Sequence, residues 1–304
     1  MTCFNAGSTI ADSIQSVSNQ SFSDWQLVII DNCSTDETVS VISGFKDERV
    51  RLTALDGNIG RTLALNRGLS LCHGEYIAIL DADDVCRQDR LAIQVSKLDS
   101  DPNLTCVGSW YKNISSNGQI ISEQCPPSKH SEIVRQMAYD NPISHSTVMY
   151  RSEQIKKIGG YPIAFNYAQD FGLWLEIAKI GKFEIIPDFL CSIRRTSSTL
   201  SQNAEMGNEL ASDGYRLYKQ AQLLHGLKIY DRLRGVKAIG FYGLLYAWRL
   251  LLAGRILSAL RLALVNISVA PWAATYLIRN RIFPNSNWGP QTTWPSLQSA
   301  EAIN

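Results

Sequence analysis

Helical and strand-like periodicities alternate along the first hundred residues of this chain, and two of the strand-like runs stop on aspartate. Ile10, Ile14 and Val17 recur at helical spacing and predict an amphipathic helix over 9–19. Trp25-Gln26-Leu27-Val28-Ile29-Ile30 reads as a strand ending on Asp31. Ser34, Thr35 and Asp36 then cap a helix whose apolar face includes Val39 and Ile42. A short strand over 49–55 leads to Asn58-Ile59-Gly60-Arg61 and a helix with Leu65 and Leu69 on one face. The run Tyr76-Ile77-Ala78-Ile79-Leu80 is apolar and opened by Gly74, so it reads as a buried strand of a parallel sheet. It ends on Asp81-Ala82-Asp83-Asp84, and a helix near 88–98 follows. Strands alternating with helices indicate βαβ units, so the fold class is α/β.

Open α/β sheets bind ligands at the carboxyl ends of their strands, which is where the Asp81–Asp84 acids fall. Clustered carboxylates repel one another unless something cationic neutralises them, and a divalent metal ion is the usual answer. The same four residues also fit a solvated Asp-rich turn.

Beyond residue 100 the alternation loosens. The segments 105–114 and 119–125 flank Ser115-Ser116-Asn117-Gly118 and read as a hairpin. Further strands are expected over 146–151 and 183–193. Leu173, Trp174, Ile177, Ala178 and Ile180 make a helix face between them, entered through Gln169-Asp170 and stopped at Gly181.

The order and spacing of these pieces resemble glycosyltransferase family 2, the inverting, non-processive, bacterial-type enzymes of the GT-A fold. Thr2-Cys3-Phe4-Asn5 resembles the end of the family's first strand. Asp31-Asn32-Cys33-Ser34-Thr35-Asp36 is similar to its Asp-Asp-Gly-Ser-Thr-Asp turn, and Asn58-Ile59-Gly60-Arg61 with Asn66 to the next loop and helix. Asp81-Ala82-Asp83 resembles its DxD metal motif. Gly159-Gly160-Tyr161, Gln169-Asp170 and Leu173-Trp174-Leu175 resemble its acceptor-side segment. The resemblance covers residues 1–201. It implies a Rossmann-like mixed sheet in a catalytic domain over 1–212, with a nucleotide-sugar half (1–100) and an acceptor half (101–212).

The resemblance also implies roles. Asp83 would hold Mg²⁺ or Mn²⁺ against the donor diphosphate, where Lewis acidity stabilises the leaving charge. Asp81 would lie near the ribose, Asp31 would accept a hydrogen bond from the base (usually uracil), and Phe4 would stack on it. Thr2 and Asn5 belong to the same donor-binding strand end, and Arg61 would lie near the base or the diphosphate. Asp170 would be the general base that takes the acceptor hydroxyl proton. Many members have Glu before this Asp, whereas this chain has Gln169. Capping of a helix is the alternative role for both Asp31 and Asp170, and core packing and a solvated cation are the alternatives for Phe4 and Arg61. His145, in Asn141-Pro142-Ile143-Ser144-His145-Ser146-Thr147, matches a recurring segment and reads as a hydrogen-bonded structural residue. Arg194 and Arg195 would either reach the diphosphate from a closing loop or lie on a solvated face. Asp84 reads as an acid at the start of the next helix. The Gln-x-x-Arg-Trp signature of processive polymerases does not occur, so transfer of a single sugar is expected.

Net charge is +1, but 213–283 carries eleven Lys+Arg against two Asp+Glu, while 1–212 carries eighteen against twenty-five. Arg residues there are spaced among Leu, Ile, Ala and Trp, and Lys237, Arg249, Arg255 and Arg261 break the longest apolar stretches, so none gives the roughly 20 clean residues a spanning helix needs. Two readings fit: basic amphipathic helices at an acidic membrane surface, near a carbohydrate or lipid-linked saccharide acceptor, or helices packed on the catalytic domain. Nucleic acid is not the expected partner, because no binding motif accompanies the charge. The stretch 284–304 lacks periodicity and is expected to be poorly ordered. Seven scattered cysteines without metal-ligand spacing suit a reduced, cytoplasmic chain that uses them as small core residues. The expected site is therefore cytoplasmic, including the inner face of the membrane. Two other classes stay in view. A nucleotidyltransferase would need a basic Gly-rich loop where Asn5-Ala6-Gly7-Ser8 stands, and a non-catalytic binding subunit would not need the four aspartates. Only four residues precede Asn5, so the first strand is expected to begin upstream, with Met1 as an internal methionine.

Overall fold

The computed structural model describes residues 1–165, 167–195, 207–252 and 254–267. The chain divides into two compact units, Met1–Ile239 and Gly240–Asn304.

The first unit opens with β1 (Thr2–Cys3), α1 (Ile10–Ser18), β2 (Leu27–Asp31), α2 (Thr38–Gly44), β3 (Val50–Ala54) and α3 (Arg61–Leu71). The three strands form a parallel sheet in the order β1-β2-β3. Every residue of β2 is buried, as its unbroken apolar run requires of a strand covered on both faces. Ile29 packs on one face with Ile10, Ile14 and Ile42 from α1 and α2. Val28 and Ile30 pack on the other with Ala64 of α3. Each fully buried Ile contributes roughly 1.5–3 kcal/mol relative to exposure.

The chain then forms β4 (Tyr76–Ala78), β5 (Val85–Cys86), α4 (Arg90–Ser100), β6 (Leu104–Ile114), β7 (Ile120–Gln124) and α5 (His130–Met137). A 3-10 turn (His145–Thr147) leads to β8 (Met149–Arg151), α6 (Ser152–Lys157), α7 (Gln169–Ile180) and β9 (Lys182–Arg194). These strands make a second, mixed sheet in the order β4-β8-β6-β9-β5, with β7 paired to β6. The β6–β9 pair is parallel and the others are antiparallel.

Two expectations need correction. The run 76–80 is not a parallel strand among the described pairs. β4 pairs with β8 antiparallel, and Ile79 N–H extends the ladder to the Val148 carbonyl at 3.0 Å. An apolar run reports burial on two faces and says nothing about the direction of its neighbour. The segment 146–151 is a strand only in its second half. The Ser144 carbonyl accepts both Thr147 N–H (3.1 Å) and the Thr147 hydroxyl (2.7 Å), which winds 145–147 into the 3-10 turn. The hairpin and the helix through Trp174 form as the pattern indicates.

Three helices follow: α8 (Gly207–Ala221), α9 (Ile229–Leu252) and α10 (Ile256–Ile267). Within the first unit, Arg135 of α5 pairs with buried Asp231 at 2.8 Å, and Gln222 Nε2 donates to the Ala138 carbonyl at 2.8 Å. The basic segment thus begins with helices packed within the first unit. Residues 268–283, with Trp272, and 284–304 lie outside the described residues. Among the described residues no helix is long and apolar enough to cross a membrane.

The two sheets are locked together beside Gly160. Asn66 of α3 donates to the Tyr161 carbonyl and accepts the Tyr161 N–H, both at 2.8 Å. Gly160 has φ +80°, and a Cβ there would stand 2.5 Å from Asn66 Oδ1. Gly160→Ala is expected to cost about 2 kcal/mol or more through backbone strain and loss of this clamp. Thermal unfolding checks it, and an unchanged midpoint would contradict the clamp.

Candidate active site

The site assembles from four strand-end loops. After β1, Asn5 takes φ +51°, which lets its side-chain oxygen accept Thr35 N–H (2.8 Å) while its own N–H donates to Ser34 Oγ (2.9 Å). Gly7 N–H donates to Asp36 at 3.0 Å. The loops after β1 and β2 therefore hold each other. Asp31, at the end of β2, is buried; its carboxylate accepts Ser34 N–H at 3.0 Å, the Ser34 hydroxyl, and the Cys3 thiol at 3.5 Å. A carboxylate offers about four acceptor positions, and three are filled by described residues. Capping of this turn and binding of a base are compatible. Phe4 is half exposed just beyond β1, and Thr2 pairs with Ile30 inside the sheet. Cys33 stands at φ +69°, the left-handed region glycine occupies at no steric cost.

Asn32 next ties the third loop in place: its Nδ2 donates to Asn58 Oδ1 at 3.0 Å and its Oδ1 accepts Ile59 N–H at 2.9 Å. This sets Arg61 at the start of α3, where its guanidinium reaches Asp81 Oδ2 at 2.8 Å. The other Asp81 oxygen lies 3.0 Å from His145 Nδ1, and His145 Nε2 lies 2.8 Å from the Tyr161 hydroxyl. Burial opposes ionisation of Asp81, but Arg61 and His145 outweigh it and hold the carboxyl well below the usual range. An ionised Asp81 only accepts, so Nδ1 is the donor of that contact. Burial, then Tyr150, pushes the Tyr161 phenol far up, so it stays protonated.

The fourth loop follows β4. Asp84 is buried and accepts the Ser146 hydroxyl and Arg194 N–H, the latter at 2.8 Å. Ser146 Oγ in turn accepts Asp81 N–H at 3.0 Å. Burial, then the charges of Asp83 and Asp81, raise the Asp84 carboxyl well above its ordinary value. Asp84 is thus no solvated acid at a helix start. Arg194 also departs from expectation: it is buried, donating to the carbonyls of Asp83 (3.0 Å) and Ser116 (2.7 Å) and to Asp12 (3.2 Å). Its cation braces the backbone under the acids and does not lie on a loop or a solvated face. Arg195 bonds Asn113 at 2.8 Å. Neither Ser146 nor these Arg194 contacts carry a spacing signal, because they join residues more than sixty positions apart in sequence.

Asp83 remains partly exposed, its carboxyl raised by burial and then by the Asp81 charge. A carboxylate held in this way favours a cation. Among the described residues no three His, Cys, Asp or Glu side chains converge into a complete metal cage. One carboxylate completed by phosphate oxygens and water is how Mg²⁺-type ions bind at phosphate-transfer sites, so the residues fit such an ion. Asp170 lies in the first turn of α7 and accepts Asn141 Nδ2 at 3.3 Å. Arg61 is raised from its ordinary value first by Asp81, against the opposing effect of burial, with Asp170 and Asp83 adding to it. Arg61 thus bonds Asp81 directly and feels the charges of Asp83 and Asp170 at longer range.

A paired parallel and mixed sheet with strand-end acids defines a GT-A-type α/β protein. The chain belongs to glycosyl transferase family 2, whose family model matches residues 1–159. It is similar to an uncharacterized glycosyltransferase of Methanocaldococcus jannaschii, 31% identical over 190 residues; the match covers 61% of this chain and 65% of that protein. The chain thus spans just under two thirds of that relative. It is also similar to the Escherichia coli UDP-Glc:alpha-D-GlcNAc-diphosphoundecaprenol beta-1,3-glucosyltransferase WfgD, at 28% identity over 67% of this chain and 78% of that one. The fold matches Staphylococcus aureus TarS 1–349 in complex with UDP-GlcNAc (TM-score 0.61, 14% identity, 86% of this chain, 87% of that). It also matches the Pyrobaculum calidifontis mannosyltransferase in complex with GDP-Man and Mn²⁺ (TM-score 0.57, 18% identity, 94% and 79%).

Because its folded pKa is depressed, Asp81 contributes stability that is present above the unfolded value of about 3.9 and is lost as pH falls through the folded value. Arg61→Met is expected to cost about 1 kcal/mol at pH 7. The gap to the unsubstituted protein should narrow as pH drops below about 4. Thermal unfolding against pH measures it; a gap independent of pH contradicts the pairing.

Proposed function

We propose that this chain moves one sugar from a nucleoside-diphosphate sugar, a UDP-sugar by preference, to an acceptor hydroxyl with inversion, in the synthesis of a cell-surface polysaccharide or lipopolysaccharide. The observation that carries this reading is the Asp81 carboxylate held at a strand end by Arg61 (2.8 Å) and His145 (3.0 Å), beside the partly exposed Asp83. Family membership supports the chemistry, and the relative named for UDP-Glc and a diphosphoundecaprenol acceptor supports the donor and a lipid-linked saccharide acceptor. The scattered cysteines support a cytoplasmic setting.

In this reading the base stacks on Phe4 and donates to the Asp31 carboxylate, with Thr2 and Asn5 shaping that end. Asp81 faces the ribose, held ionised by Arg61 and His145. Asp83 would hold Mg²⁺ or Mn²⁺, which when bound supplies Lewis acidity to the leaving diphosphate. Asp170 accepts the proton of the acceptor hydroxyl as its oxygen bonds to the anomeric carbon. The bond from that carbon to the diphosphate oxygen breaks, and the nucleoside diphosphate leaves from the opposite face. One such displacement inverts the anomeric centre.

Asp170→Asn should lower turnover about 10²- to 10⁴-fold while leaving UDP binding unchanged. Metal-dependent release of UDP from a panel of UDP-sugars gives the rate, and calorimetry gives the binding. Turnover equal to that of the unsubstituted protein would remove Asp170 from the mechanism.

A further inference from the structure

Among the described residues of the second unit, α10 and the end of α9 pack with small and polar residues between them and leucines outward, the reverse of a water-soluble pair of helices. On α10, among the side chains described, Ala259 and Asn266 are buried, at 4% and 2% exposure. The opposite face presents Leu257, Leu260 and Leu264 at helical spacing, with Leu257 85% and Leu264 73% exposed. Asn266 faces α9, where a Cβ on Gly243 would stand 2.4 Å from Asn266 Cγ. Asn266 Nδ2 is satisfied by the Leu262 carbonyl of its own helix at 2.7 Å. Gly243 and Ala247 lie four residues apart on the buried side of α9, so small residues let the two helices approach closely. Small and polar residues between helices with leucines outward is the distribution of a protein whose solvent is lipid.

The charge of the unit selects the kind of surface. Residues 240–267 contain Arg249, Arg255 and Arg261 and no Asp or Glu. Arg255 and Arg261 are exposed, and Arg261 lies next to Leu260 and Leu264 on the outer face of α10. An exposed apolar stripe edged by arginines matches the interface of an anionic bilayer, where leucines enter the acyl boundary and guanidinium groups meet phosphate. Twelve residues of α10 span about 18 Å, too short to cross a bilayer, so the helix would lie in the interface plane.

We propose that α10, braced by the Gly243–Ala247 face of α9, is a docking surface for an anionic lipid bilayer. This assignment stands apart from the reading of the catalytic site, since vesicle binding and sugar transfer are measured separately.

The test is flotation of the full chain with vesicles of phosphatidylcholine containing about 30% phosphatidylglycerol, and with phosphatidylcholine alone. The chain should float with the anionic vesicles, and raising salt from about 0.1 M to about 0.5 M should release it. The double variant Leu257→Asp/Leu264→Asp alters only exposed side chains and should weaken partition at least about tenfold. Arg255→Gln and Arg261→Gln should each weaken it about fivefold. UDP binding should be unchanged in all of them. In the unsubstituted chain, amide exchange over 256–267 should slow when anionic vesicles are added. Absence of flotation, partition unaffected by the leucine variant, or unchanged exchange would overturn the proposal. So would a lipid-free dimer that the leucine variant dissolves in sedimentation, because the stripe would then be a contact between two copies.

Discussion

Three carboxylates within four residues of chain repel one another, and the fold answers by giving each a different environment. Asp81 is held ionised between Arg61 and His145. Asp84 is buried on Ser146 and the Arg194 backbone, where its carboxyl is raised and its charge suppressed. Asp83 keeps its side chain partly open while Arg194 grips its carbonyl. Division of the cluster in this way leaves Asp83 the acid of the three whose carboxylate is least engaged by the described residues. Three features of the first unit support that division: Asn32 and Asn58 set Arg61, the 3-10 turn sets His145 and Ser146, and the end of β9 delivers Arg194.

The site also depends on two sheets being held in fixed relation. The parallel sheet contributes Asp31 and Phe4 at its strand ends, and α3 beside it contributes Arg61. The mixed sheet and its helices contribute His145, Asp170 and Arg194. Asn66 joins the two by clamping both backbone groups of Tyr161, whose hydroxyl then meets His145. A second tie runs from the Thr9 hydroxyl to the Ala82 carbonyl at 3.0 Å, which links the loop after β1 to the acid cluster. Short polar side chains bonded to backbone fix these loops with little rotamer freedom to lose, which suits a site that must be shaped before a ligand arrives.

Local pattern made the first half legible. The helix through Ile10 and Ile14, the strand ending on Asp31 and the helix through Leu65 follow from periodicity because each buries one continuous face. Asp31 and the acids from Asp81 stand out where such strands end, whereas Arg61 is marked only by the family resemblance. What could not be read is long-range. No spacing rule announces that Arg194 lies beneath Asp83, that Ser146 bridges Asp81 and Asp84, or that β4 takes an antiparallel neighbour. Short elements such as β5 and α6 hold too few residues for a period to show. On α10 the pattern is visible, but its sense is reversed: periodicity finds the apolar face and only the structure tells which way it points.

We propose that Asp83 is the carboxylate that a cation at the nucleotide diphosphate would complete. Calorimetric titration of UDP with and without Mn²⁺, in the unsubstituted chain and in Asp83→Asn, tests it most directly. Mn²⁺ should strengthen UDP binding to the unsubstituted chain about tenfold or more and have little effect on the variant. Equal strengthening in both would contradict it.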